Sequence, residues 1–124
     1  MRPWLDQLEE RTRKFTSNAI EFSKKLELQS GCRNTAEQLS RAAGSVGANH
    51  RAARRAGSDR SLLAKLQIVS EEIDECVFWL QTAEKTTAAF GDDGRALLRE
   101  SRELRAIFGK SVGTLRKKRR DAKR

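Results

Sequence analysis

Tyrosine is missing altogether from this chain of 124 residues, and proline and histidine occur once each. A single histidine, His50, leaves most metal sites and nucleophile–base pairs short of parts. Carboxylate-bridged di-metal bundles need Glu-x-x-His on two helices, so Glu71 and Glu75, one helical turn apart, read as a solvated or salt-bridged face. No enzymatic activity, catalytic residue, metal or cofactor is expected. The two cysteines, Cys32 and Cys76, stand far apart without metal or redox spacing, which points to a reduced, cytoplasmic protein. No apolar run approaches the roughly 18 residues of a membrane span, and Met1-Arg-Pro-Trp-Leu-Asp lacks the layout of a signal peptide, so no membrane partner is expected. Aromatics are few, five Phe and two Trp. Most fall on core-facing stripes, and helix-turn-helix and zinc-finger patterns are absent, so base reading is not expected.

What the chain has in quantity is charge, 35% of residues against 37% hydrophobic. That balance suits one folded domain with one core. The net charge of +9 is unevenly placed. Residues 33–60 carry six arginines against two acids, residues 61–84 reverse to a net −4, and residues 116–124 hold seven basic side chains against Asp121. A basic segment, an acidic segment and a basic tail suggest a polyanionic partner together with charge pairing between helices.

The hydrophobic pattern is helical throughout. Leu5, Leu8, Thr12, Phe15, Ala19, Phe22 and Leu26 step by three and four, the stripe of an amphipathic helix, with Gly31 suited to the turn beyond it. Ala36, Leu39, Ala43, Val46, His50 and Ala53 repeat the stripe over residues 35–55, with Asn34 and Glu37 as a candidate capping box. Gly44 and Gly47, beside three alanines, read as sites of close helix approach despite their cost of about 1 kcal/mol each in a helix. Gly57-Ser58-Asp59 supplies a stop and a cap before Leu62, Leu66, Val69, Ile73, Cys76, Leu80 and Ala83. Phe90 to Gly94 interrupts the pattern, and a fourth helix from about residue 93 places Leu97, Ser101, Leu104, Phe108, Ser111 and Leu115 on one face, widened by Leu98, Ile107 and Val112. No stretch alternates with period two. The expected fold is all-α, an up-down-up-down four-helix bundle over residues 1–115, with 116–124 a disordered basic tail.

The run Gln38-Leu39-Ser40-Arg41-Ala42-Ala43-Gly44-Ser45-Val46-Gly47-Ala48-Asn49 resembles the hallmark of the bacterial four helix bundle protein family, first noticed in intervening sequences of large-subunit ribosomal RNA genes. Arg51, Ala53, Arg55, Ala56 and Ser58 fit the same pattern, as do Lys65-Leu66, Glu72, Asp74-Glu75 and Trp79-Leu80. The similarity covers roughly residues 15–115. Two positions depart from it: Ala52 stands where the family has an acid, and His50 where it has an aromatic. The resemblance implies ring-shaped homopentamers. It also implies a distant kinship with the accessory protein of diversity-generating retroelements, whose basic ring binds nucleic acid and a reverse transcriptase.

Two sets of residues are candidates for function. Arg51, Arg54 and Arg55, with Arg116, Lys117, Lys118, Arg119, Arg120, Lys123 and Arg124, offer cations to a phosphate backbone, in contacts that carry affinity without reading sequence. The competing reading pairs the Arg51–Arg55 cluster with the acidic third helix and leaves the tail as a solubilising end. Ile68 and Trp79 fall about 90° from the core stripe of the third helix and Phe78 nearly opposite it, more apolar surface than one core needs, which suggests contact between subunits. The alternative is a Trp at the bundle edge and an exposed Phe. His50 and Cys76 fall on inner stripes as buried residues. The expected function is a non-enzymatic, oligomeric accessory protein binding nucleic acid, RNA in the first place, beside a reverse transcriptase or another nucleic-acid enzyme, and the alternative is a protein-interaction scaffold.

Overall fold

The computed structural model describes residues 2–123. Its helices are α1 (Pro3–Gln7), α2 (Glu9–Glu27), α3 (Arg33–Arg54), α4 (Asp59–Thr86) and α5 (Gly91–Ala122), with one 3-10 turn at Ala88–Phe90 and no strand among the described residues. α1 and α2 form a single arm with a tightened turn at its joint. There the Leu8 N–H donates to the Leu5 carbonyl at 3.2 Å, and the Thr12 N–H to the Leu8 carbonyl at 2.9 Å. The chain is therefore a bundle of four helical arms.

Contacts between arms fix their direction. The Thr16 hydroxyl donates to the Ala43 carbonyl at 2.9 Å, Arg41 meets Glu72 at 3.0 Å, and Arg105 meets Asp74 at 3.0 Å. Nearer the termini, Arg54 reaches back to Asp6 and Lys118 to Asp59. Each arm runs against the next, up-down-up-down. α3 packs closely on α2 and α4, and α5 on α4, while α2 and α5 meet along a looser seam. Arg11 bridges that seam to Glu100 at 2.7 Å and Glu103 at 3.1 Å.

The core lies where the three-and-four spacing puts it. Every stripe position on α3 and α4 is buried, as are Leu5, Thr12, Phe15, Ala19, Phe22 and Leu26 on the first arm and Leu97, Ser101, Leu104 and Phe108 on the last. Leu8, Ser111 and Leu115, nearer the bundle's end, are half-buried. Gly31 closes the α2–α3 connection at φ +77, a left-handed conformation that glycine adopts without strain. The Ser58 hydroxyl accepts the Ser61 N–H at 3.1 Å and caps α4.

The small side chains of α3 act unequally. A Cβ on Gly47 would lie 2.8 Å from the Thr16 hydroxyl oxygen, so α2 and α3 touch there, whereas a Cβ on Gly44 would meet nothing within 4 Å. The expectation of close approach holds for Gly47 alone.

Three boundaries differ from the sequence reading. α3 starts at Arg33 behind Cys32, with no side-chain cap. Asn34 therefore sits inside the first turn, and Glu37 turns to Arg33 at 3.4 Å instead of closing a capping box. α5 opens at Gly91, two residues early, and does not stop at 115. Residues 116–122 are helical, not disordered, because the stretch is rich in Lys and Arg, good helix formers, and finds partners on α4. Leu115 packs against the core, Arg116 lies against the Gln67 amide, and Lys118 comes to 4.0 Å from Asp59.

Candidate nucleic-acid interface

Folding sorts the charge by end. In an up-down-up-down bundle the C-termini of α3 and α5 lie together, beside the N-termini of α1 and α4. Residues 2–13, 51–65 and 108–123 gather at this end with fifteen basic and five acidic side chains, a net +10. The remainder, residues 14–50 and 66–107, holds ten basic and twelve acidic side chains, a net −2. Two helix C-termini contribute partial negative charge here, and cations in their last turns complement it.

The predicted cations divide into paired and unpaired sets. Arg51 and Arg55 are exposed, with no carboxylate within ion-pairing distance among the described residues. Arg54 is ion-paired within the chain, the kind of internal pairing that the sequence reading set against nucleic-acid contact. It faces the first arm, with Nε 2.9 Å from Asp6 and Nη1 3.0 Å from Glu9. Its internal partners are thus on α1 and α2, not on the acidic stretch of α4. That stretch is satisfied from both flanks by other arginines, Arg41 on Glu72 and Glu75 and Arg105 on Asp74. The hydrogen bond from Arg41 holds the Glu75 carboxyl below the usual carboxylate range.

On α5 and just past its end, Lys117, Arg120 and Lys123 are exposed and Arg119 is half-buried, none of them ion-paired among the described residues. Arg116 and Lys118 lean onto α4 and remain on the surface. Arg124 lies outside the described residues. Arg60, counted in the basic segment 33–60 but not singled out, and Arg2 join this end through topology. Arg60 is exposed on the first turn of α4, and Arg2 donates to the Ala56 carbonyl at 2.9 Å.

The apolar candidates sit further along α4. Phe78 is 56% exposed and Ile68 is 37% exposed. Trp79 is half-buried, its indole N–H donating to Glu75 at 3.3 Å and its ring edge-to-face with Phe78 at 4.8 Å. They make an aromatic pair of which Phe78 is the exposed member, with an exposed isoleucine on the same helix.

Buried titratable groups complete the picture. His50 packs edge-to-face on Phe108 at 5.7 Å, and its Nε2 has no hydrogen-bond partner among the described residues. Burial pushes its pKa below the usual value, reinforced by the Arg54 charge and opposed by the Leu5 backbone and by Glu9 and Asp6. Burial likewise pushes the Cys76 thiol up to about 12, so it is a protonated core side chain.

One residue that the sequence reading passes over is Trp4. It neighbours the Leu5–Leu8 stripe without belonging to it, and a large aromatic one step off a stripe is the signal that was there to read. Trp4 is 38% exposed at the basic end, held there by α1.

Fold and charge together define a class: an all-α four-arm bundle with one strongly basic end. No protein-family model and no curated protein matches the chain. Among solved structures it is similar to the crystal structure of a protein of unknown function from the S23 ribosomal protein family of Bacteroides thetaiotaomicron VPI-5482. The TM-score is 0.79 at 21% identity, over 88% of this chain and 97% of that one. At that identity the likeness is one of fold.

Proposed function

We propose that the protein is a non-enzymatic, oligomeric nucleic-acid-binding accessory protein of the bacterial four helix bundle family, gripping the phosphate backbone of RNA with its basic end. The observation that carries this reading is the sorting of charge. Two basic segments separated by about sixty residues of sequence meet at one end of the bundle, and several of their arginines and lysines have no internal partner. Cations presented to a polyanion in this way give sequence-independent affinity through counterion release. The pairing of Arg54 narrows the interface to Arg51, Arg55, Arg60 and the last two turns of α5.

Copies join through Phe78, Trp79 and Ile68, as the motif resemblance to ring-forming proteins suggests. A desolvated aromatic at the centre of such a contact often carries more than 2 kcal/mol of association free energy. The resemblance further suggests the cytoplasm as the setting and a reverse transcriptase or another nucleic-acid enzyme as protein partner.

The test is salt dependence. The logarithm of RNA affinity should fall linearly with the logarithm of salt, with a slope of about −0.7 per phosphate contacted on single strands and about −0.9 on duplex DNA. Deleting residues 116–124 should flatten the slope while the bundle stays folded. No binding to hairpin, duplex or single strand at low salt sinks the proposal in favour of a protein-interaction scaffold.

A further inference from the structure

The basic end carries a groove unlike the others on the molecule. It lies between α1 and the last turns of α5, has a volume of about 600 Å³, and its walls are Trp4, Leu8, Ile107 and Leu115. That volume falls within the range of small-ligand sites, roughly 300–1,000 Å³. No carboxylate lines it, whereas Glu10, Glu21, Asp93 and Glu100 line the α2–α5 groove, Asp92 and Asp93 the one beside Phe90, and Glu9 the one beside Gly47. Lys110 and Lys118 flank it instead, two turns and more apart on α5. Eight residues of helix separate them by about 12 Å.

We infer that this groove takes an unpaired base of a single strand, stacked on Trp4, with the adjoining phosphates on Lys110 and Lys118. The inference rests on the nucleic-acid reading above and adds to it a preference for unpaired nucleotides. The chemistry of the walls selects the occupant. An apolar trough with cations on its rim and no acid in its walls, Asp59 standing 4.0 Å behind Lys118, suits a flat, weakly polar ring joined to anions. A stacked base has that form, and every base offers a π-face. The Gln7 amide and the Thr114 hydroxyl, also in the lining, supply hydrogen bonds to a base edge without imposing one sequence.

The platform is fixed before the ligand arrives. α1 is a helix of only five residues, which is not stable alone. Arg2 ties its start to the Ala56 carbonyl at 2.9 Å, Arg54 ties Asp6 at 2.9 Å, and Leu5 is fully buried beneath it. Trp4 is therefore held at the mouth of the groove by its neighbours. A duplex, whose bases are stacked within itself, gains nothing from such a platform, so the single strand should be preferred.

The test uses the full chain labelled with 5-fluorotryptophan, followed by ¹⁹F NMR, with the Trp4 signal assigned by its loss in Trp4→Phe. A single-stranded oligouridylate should shift that signal, and a blunt RNA duplex of the same length should leave it in place. In parallel, binding is followed by anisotropy of labelled RNA. Trp4→Ala should weaken single-strand binding by about 5- to 150-fold, the range of one base–aromatic stack, with duplex binding unchanged. Trp4→Phe should restore most of the loss, which a merely structural defect would not predict. Single-strand binding without a shift of the Trp4 signal overturns the stacking site and leaves backbone binding standing. Equal weakening of single strand and duplex by Trp4→Ala also overturns it. Absence of all RNA binding removes the nucleic-acid reading and this site with it, and a protein partner then becomes the occupant to seek.

Discussion

His50 is the one side chain in the molecule whose ordinary pKa, 6.5, lies near neutrality, and its burial pushes that value down. The unfolded chain therefore binds the proton more readily than the folded one. Stability contributed by the neutral ring is full above pH 6.5 and falls as the pH drops from there toward the depressed folded value. The carboxylates held low, Glu75 and Glu100, start from 4.5 and act only in more acid solution. Thermal melts between about pH 7.5 and 5 should show a decline in Tm that His50→Phe abolishes, the ring already packing on Phe108 as an aromatic would. A decline of the same size in the variant would assign it elsewhere. Glycines give a second residue-scale contrast. Gly47→Leu meets Thr16 and should cost about 1–3 kcal/mol through overpacking. Gly44→Ala meets nothing and should gain up to about 1 kcal/mol from helix propensity alone. Denaturant midpoints of the two variants should move in opposite directions, and a stabilised Gly47→Leu protein would contradict the packing of α2 on α3.

Among the elements, the long arms were legible in the sequence and the ends were not. A three-and-four stripe fixes which side of a helix is buried, and it did so here from Leu5 to Phe108, because the burial of six or seven side chains outweighs any local preference. Boundaries depend on weaker forces. Asn34 and Glu37 have the chemistry of a capping box, yet the chain turns at Gly31 and α3 begins before Asn34 can cap it. The last turns of α5 have charge without an apolar stripe, and nothing in their composition reveals that Gln67 and Asp59 wait beside them on α4. The clearest loss concerned Arg54, whose partners Asp6 and Glu9 lie more than forty residues away in sequence. Its placement makes α1 dependent on it. Arg54→Ala should release the α1 strap, with faster amide exchange at Leu5 to Leu8 and a modest loss of stability, about 1 kcal/mol, as for a partly exposed ion pair. Unchanged exchange in α1 would show that Leu5 and Arg2 hold it unaided.

For the whole molecule, the distance along the bundle between the basic end and the apolar residues exposed on α4 is the feature with most consequence. The exposed Phe78 and the half-buried Trp79 stand on the acidic stretch of α4, away from the basic end, so changes at one should spare the other. Phe78→Glu adds a carboxylate among Glu71, Glu72, Asp74 and Glu75 and should split an oligomer while circular dichroism reports intact helices. A monomer in the unmodified protein, seen by light scattering, would refute the contact whatever the variant does. The aromatic excess of α4 was visible in the sequence because two aromatics lay off the stripe. The common address of residues 51–60 and 116–123 was not, since it follows from the direction of each arm.

The basic end also sets a polarity for any assembly. Copies related by a rotation axis parallel to the bundle carry all their positive ends on one rim, whereas a two-fold pairing that inverts one copy separates them. The first arrangement makes one concentrated cationic face and pays for it in mutual repulsion. Added salt screens that repulsion over a Debye length of about 10 Å at 0.1 M, and so should favour such an arrangement while weakening any contact it makes with phosphates. A polyanion laid across the rim would do the work of the salt, so an assembly of this polarity should close most readily in the presence of one.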